Sequence, residues 1–479
     1  MFEDVKTSPN FRWYVLATVS LGTFMSTLDG SIVNVALPTI SGQFRVELSA
    51  LQWTVTAYLL AITSLLPIFG RLADMLGRKN IYLLGFVVFT LGSALCGLSN
   101  GIWTLVATRV VQAVGAAMLM ANGAAIVVST FPVQERGRAL GMTGTVVALG
   151  SMTGPALGGL LIGLAGWRSI FYINLPIGIF AYLVARSILP SDRLEGEKES
   201  FDFRGAVFFA LGMVSLILAI SNGASLGWSN PAILAGLLSA FALLVLLISN
   251  ERRVLHPMID LTLFHNRVFI IGNLCGWLSF AAMFANNILL PFYLQHVLDC
   301  SPTQVGLLLT AFPVAMAISA PISGRVSDEY GPLWLTFGGL LITALGLFYF
   351  STLSSTAAML RVVPGSLLMG MGAGMFQSPN NSSVLSSVPP RKLGLAGGIS
   401  ALVRNMGMII GIAWSVSLFE FWGGVSRPGP DQILGFMTAY HRVMLVATGL
   451  SLLAAFITLN RSGHHHGLAP VGERSKPAV

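Results

Sequence analysis

Charge is scarce in this chain: Asp, Glu, Lys and Arg together make up 10% of its 479 residues. A soluble chain of that length carries about a quarter charged residues and divides into several domains. The deficit argues against an ordinary soluble enzyme. Cysteine is nearly absent as well. Cys96, Cys275 and Cys300 form no CxxC pair, so they supply neither a disulfide framework nor a thiolate metal site and read as apolar packing residues. No Walker A sequence and no HExxH pattern occurs, which leaves no mark of an ATP-driven pump or a zinc hydrolase. His464-His465-His466 stands in a polar C-terminal tail and reads as an unstructured run, so no metal site is expected.

What is present is apolar. Hydrophobic residues reach 54%, with a mean hydropathy of +0.77. The stretches 48–70, 80–108, 110–134, 139–167, 268–298, 300–324, 330–360 and 362–390 carry no charge. Each exceeds the roughly 20 residues that cross the hydrocarbon of a bilayer. The run 205–250 is long enough for two crossings, with Gly223 to Pro231 as the turn between them. Shorter or interrupted apolar stretches cover 13–40, 169–189, 393–419 and 443–460, which brings the expected spans to fourteen. Lipid offers no partner for backbone N–H and C=O groups, so each span is expected to be helical. The alternating ten-residue segments of a membrane β-barrel are missing. The first segment is too long for a signal peptide and is expected to stay as a helix.

Most of the 27 Lys and Arg residues fall in the loops and tails of one side if the N-terminus is inside. Arg45, Arg109, Arg168, Arg361, Arg404, Arg427 and Arg442 do not. This asymmetry predicts cytoplasmic termini and explains the net charge of +8 without any nucleic-acid partner.

The chain repeats itself. Gly70-Arg71-Leu72-Ala73-Asp74-Met75-Leu76-Gly77-Arg78-Lys79 returns 254 residues later as Gly324-Arg325-Val326-Ser327-Asp328-Glu329-Tyr330-Gly331. Arg109-Val110-Val111, opening span 4, is matched with Arg361-Val362-Val363, opening span 12, and small-residue helices follow both. The reading is an N-terminal six-helix bundle (1–190), a loop with two inserted spans (191–255), a C-terminal six-helix bundle (256–461) and a tail (462–479). Parallel six-helix halves around a central site are the architecture of the major facilitator fold.

Four motifs carry chemistry. Asp29 lies within span 1, in Leu28-Asp29-Gly30-Ser31-Ile32-Val33-Asn34, with no basic residue nearby in sequence. A carboxylate there is costly to keep charged, and proton uptake relieves the cost. It reads as a proton-coupling site, the plainer alternative being a packing carboxyl bonded to a neighbour such as Asn34. Arg109 in span 4 needs a counter-charge, and Asp29 is the best acid in the same half; the alternative is an arginine that snorkels to the surface. In span 5, Gly150, Gly154, Pro155, Gly158 and Gly159 form a stripe without side chains that permits close helix contact. The charged loop, through Gly70, Arg71, Asp74, Gly77 and Arg78, allows a tight turn, anchors topology, and offers Asp74 to backbone N–H groups at a neighbouring helix start.

Together these motifs resemble the fourteen-span drug:proton antiporters of the major facilitator superfamily, the EmrB/QacA-like multidrug exporters. The resemblance covers nearly the whole chain, including Trp167 to Gly178, which is assigned structure and not chemistry. It implies an all-α polytopic membrane protein with two six-helix bundles plus two inserted helices, and no enzyme activity. It further implies export of hydrophobic, cationic drugs or biocides across a bacterial cytoplasmic membrane, driven by protons with no cofactor. The glycine stripe marks exporters and lies where the halves meet, while the charged loop latches them on the inner side and holds the outward-open state. A lipid or metabolite exporter, or a sensor without coupling, is the alternative. The protein is expected to act as a monomer in membrane lipid, and a periplasmic adaptor enters only for a Gram-negative host. Substrate contacts are assigned to Asn34, Met118, Phe284, Asn286, Asn287, Gln377 and Asn380, because adaptable apolar and amide side chains suit loosely defined ligands.

Overall fold

The structure, a computed structural model, describes residues 10–132, 135–190, 202–254, 261–389 and 392–461. Fourteen helices among them are long and apolar enough to cross a membrane. The first seven are α1 (Phe11–Phe44), α2 (Leu48–Leu76), α3 (Arg78–Leu98), α4 (Ile102–Thr130), α5 (Arg136–Ala165), α6 (Ser169–Ile188) and α7 (Phe203–Leu226). The rest are α8 (Pro231–Glu251), α9 (Arg267–Val297), α10 (Pro302–Tyr330), α11 (Leu333–Phe350), α12 (Met359–Ser386), α13 (Leu393–Phe421) and α14 (Pro430–Leu459). Helix numbers match the expected spans, and no strand occurs among the described residues. The expected loop at 192–204 lies outside the described residues as far as 201, as do Arg391 and the tail with His464, His465 and His466. The boundaries drawn at 190, 255 and 461 therefore fall at the edges of stretches outside the described residues.

Short polar side chains start several helices by accepting from backbone N–H groups that have no partner within the helix. Asn266 receives the amides of Val268 and Phe269 at the head of α9, and Asp202 that of Gly205 at α7. Ser301 and Gln304 cap each other's amides at α10, where Pro302 takes the first helical position. Lipid-facing side chains are large and exposed, among them Leu91, Leu98 and Trp103. The three cysteines are free and buried.

Helix pairing repeats between the bundles. In each, the first and fifth helices pack together, as do the third and fourth, the second and fourth, and the first and sixth. Close glycine contacts fix the register of this repeat. Gly115 packs on Gly85 and Phe89, and Gly372 packs on Gly339 and Thr343. Gly150 meets Phe24 and Thr27, as Gly407 meets Trp277 and Phe280. On that register Arg109 corresponds to buried Ser366, not to Arg361, and Asp29 corresponds to buried Ala282. The shared Arg-Val-Val string was thus out of step. Arg361 sits exposed in the 3-10 turn that opens α12. The charged loops keep their equivalence: Gly77 (φ +96°) and Gly331 (φ +82°) adopt the same left-handed turn and donate to Ala73 and Ser327 carbonyls.

The face where α1 begins and the charged loops lie is here the basic face. Away from it the bundles close on each other. One apolar cluster there unites Ile32 to Ile40 of α1 with Ala282 to Val297 of α9. Toward the basic face, apolar clusters stay within one bundle, one containing Val15, Tyr82 and Phe131, another Phe269, Val384 and Ala396. The inserted α7 packs against α2 and α13, bridging one seam through Phe209, Met213 and Ile217, whereas α8 packs mainly on α7.

Candidate functional site

Asp29 and Arg109 meet in the middle of the N-terminal bundle. The Arg109 Nη1 donates to Asp29 Oδ2 at 2.5 Å, and the two residues are 1% and 0% exposed. The exposure of Arg109 excludes a snorkelling arginine. Further groups complete the cage. Gln112 Nε2 and Asn174 Nδ2 donate to Asp29 Oδ1 at 2.8 and 3.0 Å, and Arg109 also donates to Gln112 Oε1 and the Thr54 carbonyl. Asn174 is in turn held by Ser93, and the Tyr58 ring lies 3.7 Å from the guanidinium carbon. A buried pair survives only when such hydrogen bonds replace lost water, and removing one partner costs about 3–5 kcal/mol. The cage gathers α1, α2, α3, α4 and α6, so a change in Asp29 reaches five of the six helices in this bundle.

The two amides that hold Asp29 had no assigned chemistry in the sequence. Asn174 belongs to the Trp167–Gly178 segment assigned to structure alone, and Gln112 stood unremarked three residues after Arg109. Its i+3 position, which places it on the same helix face as Arg109, was the available signal. The rest of that segment is structural: Trp167 donates to Gln43, and Arg168 donates to the Ser99 carbonyl.

The glycine stripe of α5 divides in two. Gly150, Gly154 and Gly158 face Thr27, Ser31 and Ile32 of α1, inside their own bundle. Gly159 alone among the stripe's glycines crosses to the other half. A Cβ there would stand 2.5 Å from the Pro302 carbonyl oxygen and 3.0 Å from Gly306 Cα, while the Pro155 carbonyl faces Gly306. The opposite seam, between α2 and α13, is joined instead by Ser49 N–H donating to Glu420 Oε1 at 2.8 Å.

Of the assigned substrate contacts, Asn34 and Asn287 occupy equivalent places and bond each other across the pseudo-twofold axis at 3.4 Å. They close the face away from the basic loops, with help from Thr39 and Gln295. Asn34 therefore does not hold Asp29. Met118 packs against Ala73 and Ile81 inside its own bundle, Asn286 is taken up by Tyr440 and Met369, and Phe284 packs on Gly411. In this structure Met118 and Asn286 are buried within their own bundles, and Phe284 is half-buried. Gln377 and Asn380 do line a cavity, of about 160 Å³, between α9, α12 and α13 in the half of the C-terminal bundle nearer the basic face. In the charged loop, exposed Asp74 accepts at 3.0 Å from the side chain of Arg78, the first residue of α3, and not from backbone N–H groups as expected. Lys79 reaches the Leu189 carbonyl within the same bundle.

Comparison with known proteins agrees with this architecture. The model described as Major Facilitator Superfamily matches residues 19–249 and 272–478. Relatives include the riboflavin transporter RibZ of Clostridioides difficile, 40% identical over 94% of this chain and 97% of its own. The multidrug resistance protein Stp of Mycobacterium tuberculosis is 34% identical over 85% and 76%. Among solved structures, the POT family transporter PepTSo superposes with a TM-score of 0.68 over 95% of this chain and 98% of that one, at 15% identity. The chain belongs to the major facilitator superfamily of membrane transporters.

Proposed function

We propose that this protein exchanges protons for an organic solute by alternating access, with Asp29 as the coupling residue. One observation carries the reading: a sealed carboxylate in mid-helix, paired to Arg109 and caged by Gln112 and Asn174, with neutral residues at the equivalent places of the other half. Protonating Asp29 discharges the pair and frees the guanidinium, which loosens five helices at once. The basic face is assigned to the cytoplasm by its loop charges, so the described conformation is open inward. Each proton entering down a potential of about 100 mV supplies about 2.3 kcal/mol. Export of a hydrophobic drug is the class supported by likeness to multidrug resistance proteins. Transport of a flavin-like metabolite is the second reading, favoured by 40% sequence identity to a riboflavin transporter over 94% of this chain. The test is counterflow of candidate solutes in proteoliposomes with and without an imposed pH gradient. Solute movement indifferent to the gradient would end the coupling assignment.

A further inference from the structure

Arg404 is the one charged side chain lining the cavity between α9, α12 and α13, and no acid lines it. It sits twelve positions into the 29-residue α13, so it is held within the membrane domain. An arginine at such a place costs several kcal/mol unless an opposite charge or a set of acceptors faces it. Among the described residues Arg404 has no ion pair and no hydrogen-bond partner. Asn273 and Asn380 of the lining are hydrogen-bonded within the bundle, but other polar neighbours are not. The Ser400 hydroxyl is buried and unpartnered, and half-buried Gln377 and exposed Asn381 line the cavity without a hydrogen bond to the described residues. Behind the wall, Arg461 donates to Asn380 Oδ1 at 2.7 Å, while its Nε and Nη1 stay buried and unpaired. Two guanidiniums thus converge on one small polar space, the nearer directly and the farther through an amide. The apolar rings of Phe280 and Phe376 complete the lining.

We infer that this cavity is a binding site for an anionic, acceptor-rich group, a carboxylate or phosphate, presented by the transported molecule. A guanidinium grips such groups through two parallel N–H bonds, and the free amides and hydroxyl supply further donors. The volume of about 160 Å³ has room for one such functional group and an adjoining ring edge. The inference deepens the transport reading and rests on it. It reverses the charge expected for the solute: the carboxylate that would have attracted a cation is sealed inside the other bundle.

The site is tested with two dyes that share a xanthene ring and differ in charge, anionic fluorescein and cationic rhodamine 123. Binding to the full chain in phosphatidylcholine nanodiscs is read by fluorescence polarisation. Wild type should hold fluorescein more tightly, Arg404→Gln should weaken fluorescein by about tenfold or more, and rhodamine 123 should not change. Arg404→Lys should retain part of the affinity, which separates lost charge from lost fold. Equal fluorescein affinity in wild type and Arg404→Gln, equal loss of both dyes, or no fluorescein binding by wild type would overturn the site. Adding phosphatidylglycerol identifies the source of the anion: displacement of fluorescein from wild type assigns a lipid headgroup, and no displacement assigns a soluble solute. Binding that persists in a protein moving neither dye nor any other candidate solute, riboflavin included, across proteoliposomes would sink the transport reading and leave the site intact.

Discussion

The two halves share a helix arrangement and divide the polar chemistry. In the N-terminal bundle the charge is internally compensated: Asp29 and Arg109 neutralise each other in a cage with 0% and 1% exposure. In the C-terminal bundle the equivalent positions are Ala282 and Ser366, and its arginines, Arg404 and Arg461, have no carboxylate beside them among the described residues. The first arrangement pairs its charges without a ligand, so protonation is the change that breaks it. The second is incomplete and waits for an anion. A duplicated fold can therefore separate coupling from recognition simply by which half keeps the acid.

The largest effect expected from breaking this division is at the cage. Arg109→Ala leaves Asp29 buried and unpaired, and should cost about 3–5 kcal/mol of stability, read as a lowered melting temperature in detergent. Ser366→Ala, its counterpart, should change stability by about 1 kcal/mol or less. Asn174→Ala should weaken proton coupling while leaving solute binding in place, measured as transport with and without a pH gradient. Unaltered gradient dependence would return Asn174 to a packing role.

The seams sharpen the comparison next. At the α5–α10 seam, Gly159→Val forces a side chain against Pro302 and Gly306 and should cost about 1–3 kcal/mol of the closed arrangement. At the α2–α13 seam, Glu420→Gln keeps an acceptor but loses the charge, with about 1 kcal/mol at stake. Both should raise labelling of a cysteine placed at Thr39 on the closed face, Gly159→Val by more. The smallest effect is at the repeated loops. Asp74→Asn, which breaks the Arg78 pair, should slow transport more than Asp328→Asn, since an exposed pair is worth about 0.2–1 kcal/mol. The reverse order would mean that the second loop carries the latch.

Helix number, the bundle grouping and the Asp29–Arg109 meeting were legible in the sequence, because apolar run length and an unpaired intramembrane charge are strong local signals. Register was not. Arg361 shares a three-residue string with Arg109, but glycine contacts place the repeat five residues further along, and such contacts are visible only once helices pack. The amides of Gln112, Asn174, Asn34 and Asn287 were equally opaque. Two cage an acid and two close a face, and beyond the i+3 spacing of Gln112 from Arg109 nothing in their local sequence distinguishes these duties. Met118 and Asn286 show the same limit: residue type suits a cavity, but in this structure both are buried within their own bundles.

The central claim is that one carboxylate couples the proton to transport. It is tested most directly by the pH change inside proteoliposomes when solute is added, comparing wild type with Asp29→Asn. The account predicts solute-driven proton movement in wild type and none in Asp29→Asn, with solute exchange in the absence of a gradient retained. Proton movement of equal size in both proteins would contradict it.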